Sequence, residues 1–211
     1  MAAEEEEIAE RIEHVCNAAW EDFKTELCSV PLPLWNESVF RYFFVKQLRH
    51  ACPDAKCQME WNRFDLLLQI AGQNVLIEFK FYHPSIHRNL SGDRTHAKGG
   101  AGPKNFAEFT ECISKLNKLA QAPWSRSERH PIHKALLVLV YAHHRSLKGK
   151  GIYRDWYDKF PEEHTIEGIE VNRLWSAPEL RCEESDTDLF GRLFEINSEP
   201  YRSTGEALVS R

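Results

Sequence analysis

A chain of 211 residues is long enough to bury a sizeable core as a single domain, and 42 % hydrophobic with 28 % charged residues is a globular balance rather than a disordered or fibrous one. No apolar run approaches the roughly 18 to 20 residues of a membrane span, and the opening MAAEEEEIAE is acidic where a leader peptide is basic or apolar, so a cytoplasmic protein is expected. The formal net charge of −5 is unevenly spread: residues 1–28 carry 9 acids and 2 bases, residues 151–211 carry 14 and 7, and residues 78–150 carry 13 bases, 5 acids and seven of the ten histidines. Global acidity argues against nonspecific polyanion binding, while the basic middle leaves room for a local phosphate-binding surface. The six cysteines form no CxxC pair, and Cys52 and Cys57 with His50 nearby have no matching second pair, so reduced thiols are expected rather than structural zinc.

Ile8, Ile12, Val15, Ala19 and Phe23 recur at steps of three and four, which predicts an amphipathic helix over 4–28 with glutamates in its first turn. Two prolines in SVPLPLW end it. Asn36 then caps a second helix, ESVFRYFFVKQLRHA, with Glu37 in the first turn. CQMEWN is a weak strand candidate; RFDLLLQI and NVLIEFKFY are strong ones, joined by a short turn. Residues 83–104 are glycine-rich and aperiodic, so a long loop is expected there. A third helix starts at Pro103, with Phe106, Phe109, Ile113, Leu116 and Ala120 as its apolar stripe. KALLVLVYAH reads as a strand buried on both faces, and IEGIEVNRLW and LFGRLFEI as later strands before a polar, frayed end. The expected architecture is a mixed α/β (α+β) sheet flanked by helices, in αβββαβ order. Residues 1–30 form a helix packed on the core, 31–145 the core itself, and 146–211 further strands and a tail of the same domain.

Three charges interrupt the strongest strands: Asp65 in the first, Glu78 and Lys80 in the second. A turn centred on Ala71–Gly72 sets Asp65 opposite Glu78; one centred on Gly72–Gln73 sets it opposite Lys80. In both registers the three side chains share a face, with opposed Cβ atoms roughly 4.5 to 5.5 Å apart. The other face is filled by Phe64, Leu66, Leu68, Ile70, Val75, Ile77, Phe79 and Phe81, which pins the register. Two close carboxylates repel unless one protonates or a cation intervenes. Lys80 supplies part of that charge, and a hard divalent ion, which takes oxygen ligands and substrate phosphate, supplies it better. Such an ion polarises a phosphodiester and activates water, while a lysine stabilises charge building on phosphorus.

Glu37 in WNESVFRYF, Asp65 in RFDLLLQ, and Glu78 and Lys80 in IEFK, placed on this element order, resemble the PD-(D/E)XK nuclease superfamily, the restriction-endonuclease-like fold, over roughly residues 30–142. One departure is Phe64, which stands where a proline often precedes the aspartate. The resemblance implies metal-dependent hydrolysis of phosphodiester bonds in nucleic acid, most readily DNA, with Mg2+ or Mn2+. Asp65, Glu78 and the main-chain carbonyl of Phe79 would be ligands, Lys80 would stand at the attacking water, and Glu37 would be an additional ligand or hold a metal-bound water. Lys115, Asn105 and Glu108 on the third helix would approach the site, Lys115 foremost, and Arg88, Arg94, Lys98 and Lys104 in the basic loop would contact phosphate.

A nuclease-fold subunit without chemistry, serving as the binding or regulatory partner in a larger complex, is the competing expectation, and a homodimer would let two sites address two strands. A glycoside hydrolase using the same carboxylates is disfavoured by the lysine among them. Ser-His-Asp and Walker signatures are absent. His83 with His87 and His143 with His144 lack the further ligands a tetrahedral zinc site needs.

Overall fold

The computed structural model describes residues 2–27, 35–61, 63–83, 85–88, 94–98, 103–121, 132–144, 164–183 and 187–197. The proline-rich break, the expected boundaries at 30/31 and 145/146, and the polar carboxyl end lie outside the described residues.

The helical spacing at the amino end produces α1 (Ala2–Leu27), in which Ile8, Ile12, Val15, Ala19 and Phe23 are all buried. The Oδ1 of Asn36 accepts the Val39 N–H at 3.2 Å and starts α2 (Glu37–Ala51). These two helices pack together through aromatic edges, with Trp20–Phe40 and Phe23–Phe40 centroids 6.2 and 5.6 Å apart. Asp22 of α1 accepts hydrogen bonds from Lys46 and Gln47 of α2 along the wet side of the seam.

Beneath them lies an eight-stranded, mostly antiparallel sheet. Its strands are β1 (Lys56–Trp61), β2 (Phe64–Ile70), β3 (Gln73–Tyr82), β6 (Ile132–His144), β7 (His164–Ile166), β8 (Ile169–Ser176), β9 (Leu180–Cys182) and β10 (Thr187–Asn197). The spatial order is β1-β2-β3-β6-β10-β8-β7, with β9 also paired to β10. Only β3 and β6 run parallel, because α3 (Pro103–Gln121) crosses between them and a parallel pair needs such a crossover. The sheet is therefore sandwiched: α1 and α2 cover Leu66, Leu68, Ile77, Phe79, Val138 and Val140, while Phe109, Ile113 and Leu116 of α3 cover Leu76, Leu137, Leu139 and Phe194. Alternate residues of β6 feed both layers, which is why that strand reads as continuously apolar.

Three sequence expectations change. Residues 83–104 are not one loop, since β4 (Ser85–Arg88) and β5 (Arg94–Lys98) pair antiparallel as a separate two-stranded ribbon. Strands of four and five residues are too short for a periodic pattern to show. The segment IEGIEVNRLW divides into β7 and β8 at Glu167–Gly168, both at positive φ, the backbone that matches the twist of a tight hairpin. Phe64 does not join Leu66 on the α1–α2 face; it packs with the α3 layer. It directly follows Arg63, which stands at a positive φ of 71° before the strand begins.

Far from these turns, Gly191 in β10 lies against Trp175, whose indole N–H donates to Asn17 of α1 at 2.7 Å. A Cβ on residue 191 would stand 2.8 Å from the indole ring and 3.0 Å from the Ala177 Cβ. Since a packed core absorbs an added methyl only by strain, Gly191→Ala should cost about 1 to 3 kcal/mol in urea unfolding.

Candidate functional site

The β2–β3 hairpin turns on Ala71 and Gly72, at φ 48° and 79°, and this choice places Asp65 opposite Glu78. Main-chain pairing of the two strands stops at Leu66 and Ile77, whereas β3 continues to Tyr82 alongside β6. The last stretch of β3 is thus paired on one side only, and side chains take over the missing acceptors on the other. The Phe79 N–H donates to Asp65 Oδ2 at 2.8 Å, and the Asp65 N–H donates to Glu78 Oε2 at 3.1 Å. Each carboxylate fixes the other's strand.

The remaining oxygens meet cations. Glu78 Oε1 accepts from the Lys80 ammonium at 2.8 Å, and the same ammonium stands 3.5 Å from Glu37 Oε2 at the start of α2. Asp65 Oδ1 is held by the Arg41 guanidinium, which also donates to Glu60 at 2.7 Å. Glu37 and Arg41 are four residues apart on α2 and so project from one helix face into the gap. Glu60 lies between the Met59–Leu66 and Trp61–Phe64 pairs of β1 and β2, at a strained φ of 52°.

Four carboxylates (Glu37, Glu60, Asp65 and Glu78) share two cations, so the cluster carries a formal −2. Glu37 is half-buried, with the Lys80 ammonium as its near cation. Burial pushes the Glu37 carboxyl up to about 7; Lys80 opposes the shift, and the charges of Asp65 and Glu78 reinforce it. Glu78 is raised for the same first reason, against the bond and charge of Lys80. Burial pulls the Lys80 ammonium down, but its bond to Glu78 and the charges of Glu78 and Glu37 outweigh that and hold it above the ordinary lysine range. At neutral pH Lys80 is therefore a proton donor in hydrogen bonds, not a base.

Glu78 and Lys80 open into a cleft of about 480 Å3 between the sheet and α3. Lys115, the foremost helix candidate, lines it and is paired to Glu111 at 2.8 Å. Glu108 lines it too. Lys104 is exposed and Asn105 half-buried in the first turn of α3, and neither lines the cleft. Arg88, Arg94 and Lys98 belong to the β4–β5 ribbon, where their side chains lie outside the described residues. The main-chain group of Phe79 bonded to Asp65 is its N–H. Arg41 and Glu60 were missed by the sequence reading. Arg41 had a signal, a base one turn after Glu37 in an otherwise apolar stretch; Glu60 had none, because its strand has no clear pattern.

Among the described residues, no three His, Cys, Asp or Glu side chains converge on a common metal position. Glu37 meets Lys80 rather than standing as a third acid against Asp65 and Glu78. The five described cysteines are free thiols, as expected, and burial first of all raises that of Cys112 beside the cleft. Compared with protein-family models, with curated proteins and with solved structures, the chain matches none.

Two outcomes follow for the isolated protein in EDTA. Arg41→Ala strands the buried Asp65 carboxylate and should lower unfolding stability by about 3 to 5 kcal/mol, with Arg41→Lys recovering part of the loss. The Glu37 carboxyl binds its proton more tightly folded than unfolded, so that stability is present at pH 4 and lost as pH rises through about 7. With 35 % of the side chain exposed, Glu37→Gln should gain roughly 1 to 2 kcal/mol over the wild type at pH 8 and nothing at pH 4, read from paired melts.

Proposed function

We propose that the chain is a divalent-metal-dependent nuclease of the restriction-endonuclease-like kind, hydrolysing phosphodiester bonds in DNA. The observation that carries this reading is the reciprocal Asp65–Glu78 pair with Lys80 beside it, at the carboxyl end of a parallel strand and within a charge cluster of formal −2. Open α/β sheets bind ligands beyond the carboxyl ends of their strands. Among the described residues, the succession α2, β1, β2, β3, α3, β6, with the small ribbon between β3 and α3, supports the same assignment.

The donor set suits a hard cation. Magnesium uses one or two carboxylates with water and substrate phosphate rather than a closed protein cage, so Asp65 and Glu78 suffice as protein ligands, with Glu37 within reach of the same charge cluster. A bound magnesium supplies polarisation of the phosphodiester and charge against the developing anion. Lys80, kept protonated by its acids, donates a hydrogen bond to the attacking water or to a phosphate oxygen as charge builds there. Arg41 holds Asp65 in place, and Phe79 N–H fixes the carboxylate plane.

A second reading has its own observation: both oxygens of Asp65 and both of Glu78 already have partners inside the protein. Such an arrangement suits a nuclease-fold binding or regulatory subunit, in which the charges only lock β2 to β3.

Calorimetric titration with magnesium and manganese, beside cleavage of plasmid and single-stranded DNA, separates them. The nuclease reading expects metal binding that Asp65→Asn removes. It also expects cleavage that falls at least a hundredfold in Lys80→Ala while metal binding persists, a loss of about 2.7 kcal/mol of transition-state stabilisation or more. Equal cleavage by the wild type and Lys80→Ala, or none on any substrate, counts against the nuclease, and absence of metal binding with tight binding of a protein partner selects the subunit reading.

A further inference from the structure

The cleft has a chemistry that the Asp65–Glu78–Lys80 cluster does not require. Its inner end is Glu78 and Lys80; its wall is the ring of Phe64 with Leu119 and the Cys112 thiol; and its rim carries Arg63, Lys115 and Lys118. Phe64 is only half-buried, set on this side of the sheet where strand alternation would have placed it on the other. Cys112 is almost wholly buried and acts as an apolar wall. Lys115 and Lys118 are three apart on α3 and so share a helix face, and Arg63 is exposed.

An aromatic and aliphatic wall, an exposed rim in which three cations outnumber two acids and a volume of about 480 Å3 fall in the range of small-molecule sites. Two carboxylates also line the cleft. Glu111 is paired with Lys115, and Glu108 offers an acceptor to an amine. A double helix does not enter a space of this size, but one nucleotide does. Its base can lie on Phe64 and present an exocyclic amine to Glu108, while the flanking phosphates meet the rim cations.

We propose that this cleft receives one unpaired nucleotide of a DNA strand, stacked on Phe64, so that the adjoining phosphate is delivered to Lys80. The identity of the ligand as nucleic acid rests on the nuclease reading above; the preference for an unpaired base rests on the cleft alone. Stacking on an aromatic side chain tolerates any base, since each has a π face. The site would thus choose single strands, frayed ends or flaps over closed duplex, with stacking open to every base and the Glu108 contact open to those that carry an exocyclic amine.

The test uses the full chain in EDTA at low salt, so that binding is read apart from cleavage. Labelled single-stranded 12-mers and their duplexes are titrated by fluorescence anisotropy, and an oligonucleotide carrying 2-aminopurine reports stacking by quenching. Expected are tighter binding of the single strand and quenched 2-aminopurine. Phe64→Ala should weaken binding about tenfold and abolish quenching, Phe64→Trp should restore both, and the double variant K115A/K118A should flatten the salt dependence. Melting curves establish that each variant is folded.

Duplex bound as tightly as single strand overturns the proposal, as does Phe64→Ala that is folded yet binds and quenches like the wild type. So does a cleft that takes up a peptide but no oligonucleotide. The two readings fail separately. Metal-dependent plasmid cleavage with an indifferent Phe64 keeps the nuclease and removes the cleft assignment, whereas Phe64-dependent single-strand binding without metal affinity does the reverse.

Discussion

The point on which the site depends is the place where β2 parts from β3. Two strands that stop exchanging main-chain hydrogen bonds leave amides that need acceptors, and a buried amide without one costs about 1 to 3 kcal/mol. Here Asp65 and Glu78 answer for each other: each carboxylate accepts from main chain on the opposite strand. The exchange holds two acids within one small volume, where repulsion would otherwise drive them apart, and it turns an unpaired strand end into a fixed geometry.

That arrangement requires cations, and a strand and a helix deliver them differently. Lys80 arises within β3 itself, two residues from Glu78, so strand periodicity alone brings it to the same face. Arg41 comes from α2, whose orientation is set by the aromatic packing of Trp20, Phe23 and Phe40 some distance away. The hydrophobic core therefore acts on the chemistry: burying α2 against α1 and the sheet puts Glu37 and Arg41 over the gap. The six charged side chains carry a formal −2, and burial first of all, with the charges of Asp65 and Glu78 adding to it against that of Lys80, raises the Glu37 carboxyl.

The layer on the other face shapes access. Because α3 crosses from β3 to β6, it runs past the end of β3 and walls a cleft that begins at Glu78 and Lys80. The buried polar cluster and the half-apolar cleft are thus two sides of one strand end. One is internally paired, and the other is open and lined by Phe64, Leu119 and lysines.

Much of this was legible in advance. The stripe in α1, the Asn36 cap of α2, the start of α3 at Pro103 and the two-sided burial of β6 are local patterns of period 3.6 or of continuous apolarity, and they correspond to α1, α2, α3 and β6 as observed. So is the sharing of one hairpin by Asp65, Glu78 and Lys80, because a strand's period of two admits few registers. The sequence alone left open which register holds; the tight turn at Ala71–Gly72 decides it. It also could not reveal Arg41 and Glu60 as partners of Asp65, the ribbon β4–β5, or the turning of Phe64 toward α3. Those depend on how helices dock and where strands diverge, which are set by contacts between residues far apart in the chain. Local patterning determined which acids and which amine share a strand face; only the packing of α2 and α3 onto the sheet determined what surrounds them, because the distance between a helix and a strand end is fixed by the core and not by the sequence next to either.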